Sequence, residues 1–205
     1  MKGGAVWTFA LFCSVSSAQP RPYAGVLGGI STLSADARSV VTAGSASASS
    51  YKPENGAVVN AFGGVHFNDY LSLQANYTWN RNDLTLFAIR NPGDSYAQRR
   101  GSSQHSAGVD VLVYFRDRRS WVRPFLSAGP AVVRFKSNST TDSFSSVKPS
   151  LRVGVGIDAR IAPGWAFRYS FLEAMQANPI SRRLSPPGDR RLANFQNLFG
   201  ILRLF

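Results

Sequence analysis

Residues 151–171 read LRVGVGIDARIAPGWAFRYSF, and their pattern decides the fold. Leu151, Val153, Val155, Ile157, Ala159 and Ile161 alternate with Arg152, Gly154, Gly156, Asp158 and Arg160. After Ala162, Pro163 and Gly164 the alternation resumes. Trp165, Phe167, Tyr169 and Phe171 fall on one parity, Ala166, Arg168, Ser170 and Leu172 on the other. A period of two puts successive side chains on opposite faces of an extended chain. Two such segments joined by a short Gly-containing turn make a β-hairpin. One of its faces is apolar; the other carries charges and glycines.

The same signature recurs along the chain. Strands are expected at residues 23–33, 57–67, 71–86, 104–115, 121–135, 151–161, 165–171 and 193–205. Long connections at 34–56, 87–103, 136–148 and 173–192 alternate with short turns at 68–70, 116–120 and 162–164. The long ones are rich in Ser, Thr, Gly, Asn and Pro and read as loops. Transmembrane β-barrels have this asymmetry, with an even number of strands, short periplasmic turns and long outer loops.

The rest of the composition fits. The chain has 205 residues, one domain's worth, and a net charge of +12 carried mainly by arginine. No apolar run approaches the roughly 18 residues of a transmembrane helix. Residues 1–18 read as a signal peptide. Lys2 gives the positive start, an apolar core follows, and Ser16, Ser17 and Ala18 supply a cleavage site before Gln19. Residues 19–205 are then the barrel. The one cysteine, Cys13, falls in the leader, so no disulfide is expected to hold the domain.

A soluble barrel hides its apolar face inside, whereas a membrane barrel turns it to lipid. Phe67, Tyr70, Trp79, Phe115, Trp121, Phe135 and Trp165 gather at strand ends, as two interfacial girdles would. The last residue, Phe205, closes an amphipathic segment.

With its leader, its eight alternating segments, Arg123, Pro124 and Phe125 opening strand five ahead of Gly129, the Gly-rich strand six and the terminal Phe205, the chain resembles the small outer-membrane β-barrels of OmpA and OmpX type. The resemblance implies an all-β, eight-stranded antiparallel up-and-down transmembrane barrel in the outer membrane of a Gram-negative-type bacterium. It implies that Phe205 is the signal for the outer-membrane assembly machinery. Phe195, Phe199 and Ile201 share the parity of Phe205, but Asn197 and Arg203 break it. Some members of such families modify lipid A with a Ser/His pair near the outer rim. Here Ser106 and His105 are chain neighbours, which in a strand face opposite ways.

Eight strands leave a lumen only wide enough for side chains. Asp110, Arg152, Asp158, Arg160 and Arg168 are expected to point into it, with Asp158 against Arg168. Such charges could line a gated ion path, or pair and plug the barrel, since a buried charge needs a partner. The plug is the reading adopted, with a narrow porin-like channel and a lipid A hydrolase or acyltransferase as alternatives. Arg99, Arg100, Arg182, Arg183, Arg190 and Arg191 are expected in outer loops, where they can meet lipopolysaccharide phosphates. They lack the interleaved aromatics of a nucleic-acid surface, so no nucleic-acid partner is expected. Two distant histidines and no cysteine outside the leader give no metal set. No cofactor is expected, and the chain is read as a non-enzymatic monomer whose partners are outer-membrane lipid, lipopolysaccharide and the assembly machinery.

Overall fold

The computed structural model describes residues 19–34, 37–41, 47–91, 94–138, 143–179 and 191–205. The expected leader lies outside these residues. Among the described residues ten strands follow one another: β1 Arg21–Leu33, β2 Ala37–Val41, β3 Ser47–Pro53, β4 Gly56–His66, β5 Leu71–Asn91, β6 Asp94–Tyr114, β7 Val122–Asn138, β8 Phe144–Ala162, β9 Trp165–Ala177 and β10 Arg191–Leu204. Every pairing between them is antiparallel. Eight are staves: β1 pairs with β4, then β5 to β10 follow in chain order, and β10 returns to β1. The sheet is closed, so no backbone edge faces lipid.

Alternation sorts the side chains. Along β9 the odd positions Phe167, Tyr169 and Phe171 are exposed, while Ala166, Arg168 and Ser170 are buried. The same outward apolar face continues through Val26, Ile30, Val59, Leu73, Val111, Leu126 and Val155 on the other staves. An apolar belt running round the whole circumference is far larger than water tolerates on a monomer. It is a lipid-facing wall.

The short turns have specific chemistry. Asn68 Oδ1 accepts the backbone N–H groups of Tyr70 at 2.8 Å and Leu71 at 2.7 Å. Asp117 Oδ1 accepts the Ser120 backbone N–H at 2.9 Å and its hydroxyl at 2.8 Å, which holds the Asp117 carboxyl below the usual carboxylate range. Gly164, with φ 73°, takes the left-handed position in the β8–β9 turn.

Several expectations change. The strands run to 21 residues, because β5 and β6 continue through the expected loop 87–103 to Asn91 and Asp94. Most of the loop 136–148 likewise belongs to β7 and β8. The loop 34–56 contains β2 and β3, which pair with each other and, through β3, with the outer part of β5. Phe135 is not in a girdle. It points inward, fully buried, and stacks on Phe144 with ring centroids 5.8 Å apart. Asn197 and Arg203 do face outward, and each has a partner there. Tyr169 donates to Asn197 Oδ1 at 3.0 Å, and Arg203 lies 5.0 Å over the Trp165 ring at the short-turn rim. The inner parity of β10 is partly apolar because Leu198 and Leu202 pack with Tyr23, Leu27, Val58 and Phe62 inside the barrel.

Candidate functional site

The polar lumen is built in layers. In the half of the barrel nearer the short turns, register places Asp158 of β8 directly opposite Arg168 of β9. Arg168 Nε donates to Asp158 Oδ1 at 2.6 Å and Nη2 to Oδ2 at 2.7 Å, a two-pronged charge-assisted contact. Tyr114 donates to Asp158 Oδ2 at 2.9 Å and itself accepts from Arg168 Nη2 at 2.9 Å. The guanidinium is flanked by the rings of Phe62 and Phe125, each 4.8 Å from it.

One level further out, Arg152 Nε lies 3.3 Å from Asp110 Oδ2, both side chains buried. Gly129 of β7 makes room: a Cβ there would meet Val109 O at 1.9 Å and Asp110 Oδ1 at 2.7 Å. Two β5 amides connect the layers. Gln74 accepts from Arg168 Nη1 at 2.6 Å and from Tyr23 at 3.1 Å, and its Nε2 donates to Asn76 at 2.7 Å. Asn76 in turn donates to Asp110 Oδ2 at 2.9 Å. Above them lies a layer of uncharged side chains. Asn80, Asn82, Ser31 and Asn194 form a neutral cluster, with Ser31 donating to Asn194 at 2.7 Å and Asn80 to Asn82 at 2.6 Å. The void left beside Asp110, Arg152 and Arg168 is about 10 Å³, at the lower limit for a single water.

Arg160 does not join this network. The register holds as far as Arg160 opposite Ala166 and then shifts, so that Ala162 rather than Ile161 meets Trp165. The barrel wall ends there, and Arg160 is exposed at the mouth, donating to the Arg118 carbonyl.

The loop arginines divide. Arg99 is not on a loop but on β6, bridging Glu54 at 3.0 Å and Asp83 at 2.9 Å. Arg100 also belongs to β6, and Arg191 opens β10, exposed. Arg182, Arg183 and Arg190 lie outside the described residues. Phe205 ends the chain beside β1, its N–H donating to Pro22 O at 3.0 Å.

The histidines have separate roles. His105 faces outward and contacts the Tyr77 hydroxyl at 2.8 Å, while Ser106 is buried in the lumen. Nothing brings that pair together. His66 is buried, hydrogen-bonded to Ser72 and stacked on Tyr23 at 4.5 Å. This Ser–His contact was not legible in the sequence. Its only signal is the shared inward parity of His66 and Ser72 across the 67–71 turn. Ser72 is fully enclosed, so no substrate reaches it. Among the described residues no cluster of His, Cys, Asp and Glu could hold a metal.

The sequence matches the family described as outer membrane protein beta-barrel domain over residues 5–182. The chain belongs to that family. As an outer-membrane β-barrel of this family it is similar in fold to three solved structures. Neisserial surface protein A is 14% identical with a TM-score of 0.61, covering 90% of this chain and 97% of the other. The outer membrane protein OprG of Pseudomonas aeruginosa is 11% identical with a TM-score of 0.59, covering 90% and 96%. The N-terminal β-barrel domain of OprF from the same organism is 10% identical with a TM-score of 0.52, covering 88% and 99%. Comparison with curated proteins gives no match.

Proposed function

We propose that this outer-membrane β-barrel is a closed, non-catalytic scaffold that carries its outer strands at the cell surface. The observation that carries this reading is the filled lumen: two buried ion pairs, joined through Gln74 and Asn76, with a void of only about 10 Å³ beside them. A hydrated ion needs a continuous water path, and a space holding one water at most does not supply it. Planar-bilayer recording of the refolded chain tests the reading. No stable conductance step is expected, and a sustained open state would replace the plug by the narrow-pore alternative. Mass spectrometry of lipid A from cells with and without the chain tests the hydrolase alternative, and identical spectra are expected.

The outer wall supports a lipopolysaccharide contact different from the expected loop arginines. Register aligns Arg81, Ser103 and Lys136 across β5, β6 and β7, with Trp79, His105 and Arg134 in the next outward row below them. Arg81, His105, Arg134 and Lys136 are exposed on the lipid side. Along β7, Val122 to Val132 spans about 25 Å at ordinary strand rise and tilt, the height of the apolar band. Arg134 and Lys136 then stand at the depth of the outer-leaflet phosphates.

A further inference from the structure

At its periplasmic end the barrel opens into a cavity of about 110 Å³. Four arginines from four different segments line it: Arg21 at the start of β1, Arg118 in the turn before β7, Arg123 in β7 and Arg160 near the end of β8. The one carboxylate side chain among the lining residues is Asp158, and Arg168 already engages both its oxygens. Among the described residues, Arg21, Arg123 and Arg160 have no ion-pair partner.

The arginines are held in place by the turns. Arg118 Nε donates to Asn68 O at 3.2 Å and lies 3.2 Å from Asp69 Oδ1. Arg123 Nη2 donates to Asp69 O at 2.8 Å, and its guanidinium lies 3.9 Å over the Tyr114 ring. Arg160 donates to Arg118 O. For Arg118 and Arg123 the tether uses part of the guanidinium and leaves another part unused. Arg118 Nη2 and Arg123 Nε are buried without an acceptor, and so is Nε2 of His66, which also lines the cavity. Arg123 is 7% exposed and His66 2%. In the tautomer that accepts the Ser72 hydroxyl at Nδ1, that Nε2 is a third donor.

A buried cationic donor without an acceptor is costly. Three unmatched donors belong to residues that line one positively charged cavity, from β4, from the turn and from β7, and an acceptor-only ligand with several oxygens would match them. A carboxylate presents its two oxygens along one edge. A tetrahedral phosphate presents oxygens to several walls at once, and guanidinium groups match its geometry. A water needs only about 10–15 Å³ of such space, so the cavity admits a group several heavy atoms in size.

The geometry points to a phosphate-binding site at the periplasmic mouth, formed by Arg118, Arg123, Arg160 and His66 with Arg21 at its edge. The phosphate comes either as the free ion or as the phosphoester of an inner-leaflet lipid headgroup, since Trp121 and Phe205 place the cavity at the membrane surface.

Titration calorimetry of the full chain, refolded in non-ionic detergent without phosphate, tests it. One arm uses inorganic phosphate, the other short-chain phosphatidylglycerol. Saturable binding is expected in at least one arm, weakened about tenfold or more by Arg123→Gln and by Arg160→Gln, as loss of a charge-assisted hydrogen bond implies. Arg160 is exposed, so its variant keeps the fold, and heat-modifiable gel migration verifies this for both. Binding of inorganic phosphate identifies the free ion as source; binding of the lipid alone identifies the headgroup. No saturable binding in either arm, or wild-type affinity in both folded variants, overturns the site.

Discussion

Arg168 and Asp158 stand directly opposite each other on β9 and β8 and pair through two contacts of 2.6 and 2.7 Å, with Arg168 only 1% exposed. Removing one member leaves the other charge buried and unmatched. Asp158→Asn should therefore lower stability by about 3–5 kcal/mol. Replacing both, as Asp158→Leu with Arg168→Met, should restore most of that, because no uncompensated charge remains. Urea unfolding of the refolded protein, followed by tryptophan fluorescence, measures both. A double variant as unstable as the single one would mean that the pair contributes more than the cancellation of its own burial cost.

The second layer should be separable from the first. Asp110→Ala with Arg152→Ala opens space beside Asn76 and Thr78, but Arg168 still crosses the lumen between Phe62 and Phe125. That variant should stay non-conducting in planar bilayers. Adding Arg168→Ala and Asp158→Ala should produce a small conductance. Current through the first variant would show that the outer layer alone closes the barrel.

The lipid-facing wall predicts a depth-dependent cost. Val155 is exposed in the middle of β8, whereas Ser145 is exposed near its outer end. Val155→Arg should cost about 2–4 kcal/mol and Ser145→Arg about 0–1 kcal/mol. Unfolding from phospholipid vesicles gives both values. Equal costs at the two positions would contradict the assigned membrane depth.

Gly129 and Gly28 make a matched pair. A Cβ on Gly129 would meet Val109 O at 1.9 Å, whereas on Gly28 the nearest atom is 4.0 Å away. Gly129→Ala should cost about 1–3 kcal/mol through overpacking beside Asp110. Gly28→Ala should stay within about 0.5 kcal/mol of wild type. Paired urea midpoints decide it, and equal midpoints would remove the close approach of β7 to Asp110.

The basic row on the outer wall should govern lipopolysaccharide retention. Arg134→Glu with Lys136→Glu places carboxylates at the phosphate level and should reduce co-purifying lipopolysaccharide severalfold, whereas Arg99→Glu should matter little, because Arg99 is already paired with Glu54 and Asp83. Native mass spectrometry after mild detergent extraction reads the bound lipid. The opposite ranking would return the contact to the outer strand extensions.

The barrel was legible because its signal is local: an alternating strand announces both its faces, and residues 151–171 announce them twice. Short turns were legible for the same reason, through Asn68, Asp117 and Gly164. Three features were not. β2 and β3 carry little alternation of their own; β2 pairs with β3, and β3 with the far part of β5, a partner dozens of residues away. The reach of β5 and β6 was hidden because Asn91 to Asp94 marks a turn and residues 94–103 of β6 are mostly polar, a composition that reads as loop. The third is the amide chain Gln74–Asn76, which joins two ion pairs that the sequence could only place on the same face. Parity tells which residues share the lumen; only the register between staves tells which of them touch.

The β5–β6 ribbon has a mechanical consequence. From Gly101, its last residue paired with β7, to its end at Asp94, β6 rises about 17 Å at ordinary strand rise and tilt. A bare two-stranded ribbon of that length would bend freely, because two strands alone are marginal in water. β3 lies along β5 from Ala48 to Pro53, and the Arg99 bridge to Glu54 and Asp83 fastens its base. The ribbon is therefore a braced mast, and whatever meets this protein from outside the cell reaches the tip of the mast before it reaches the membrane.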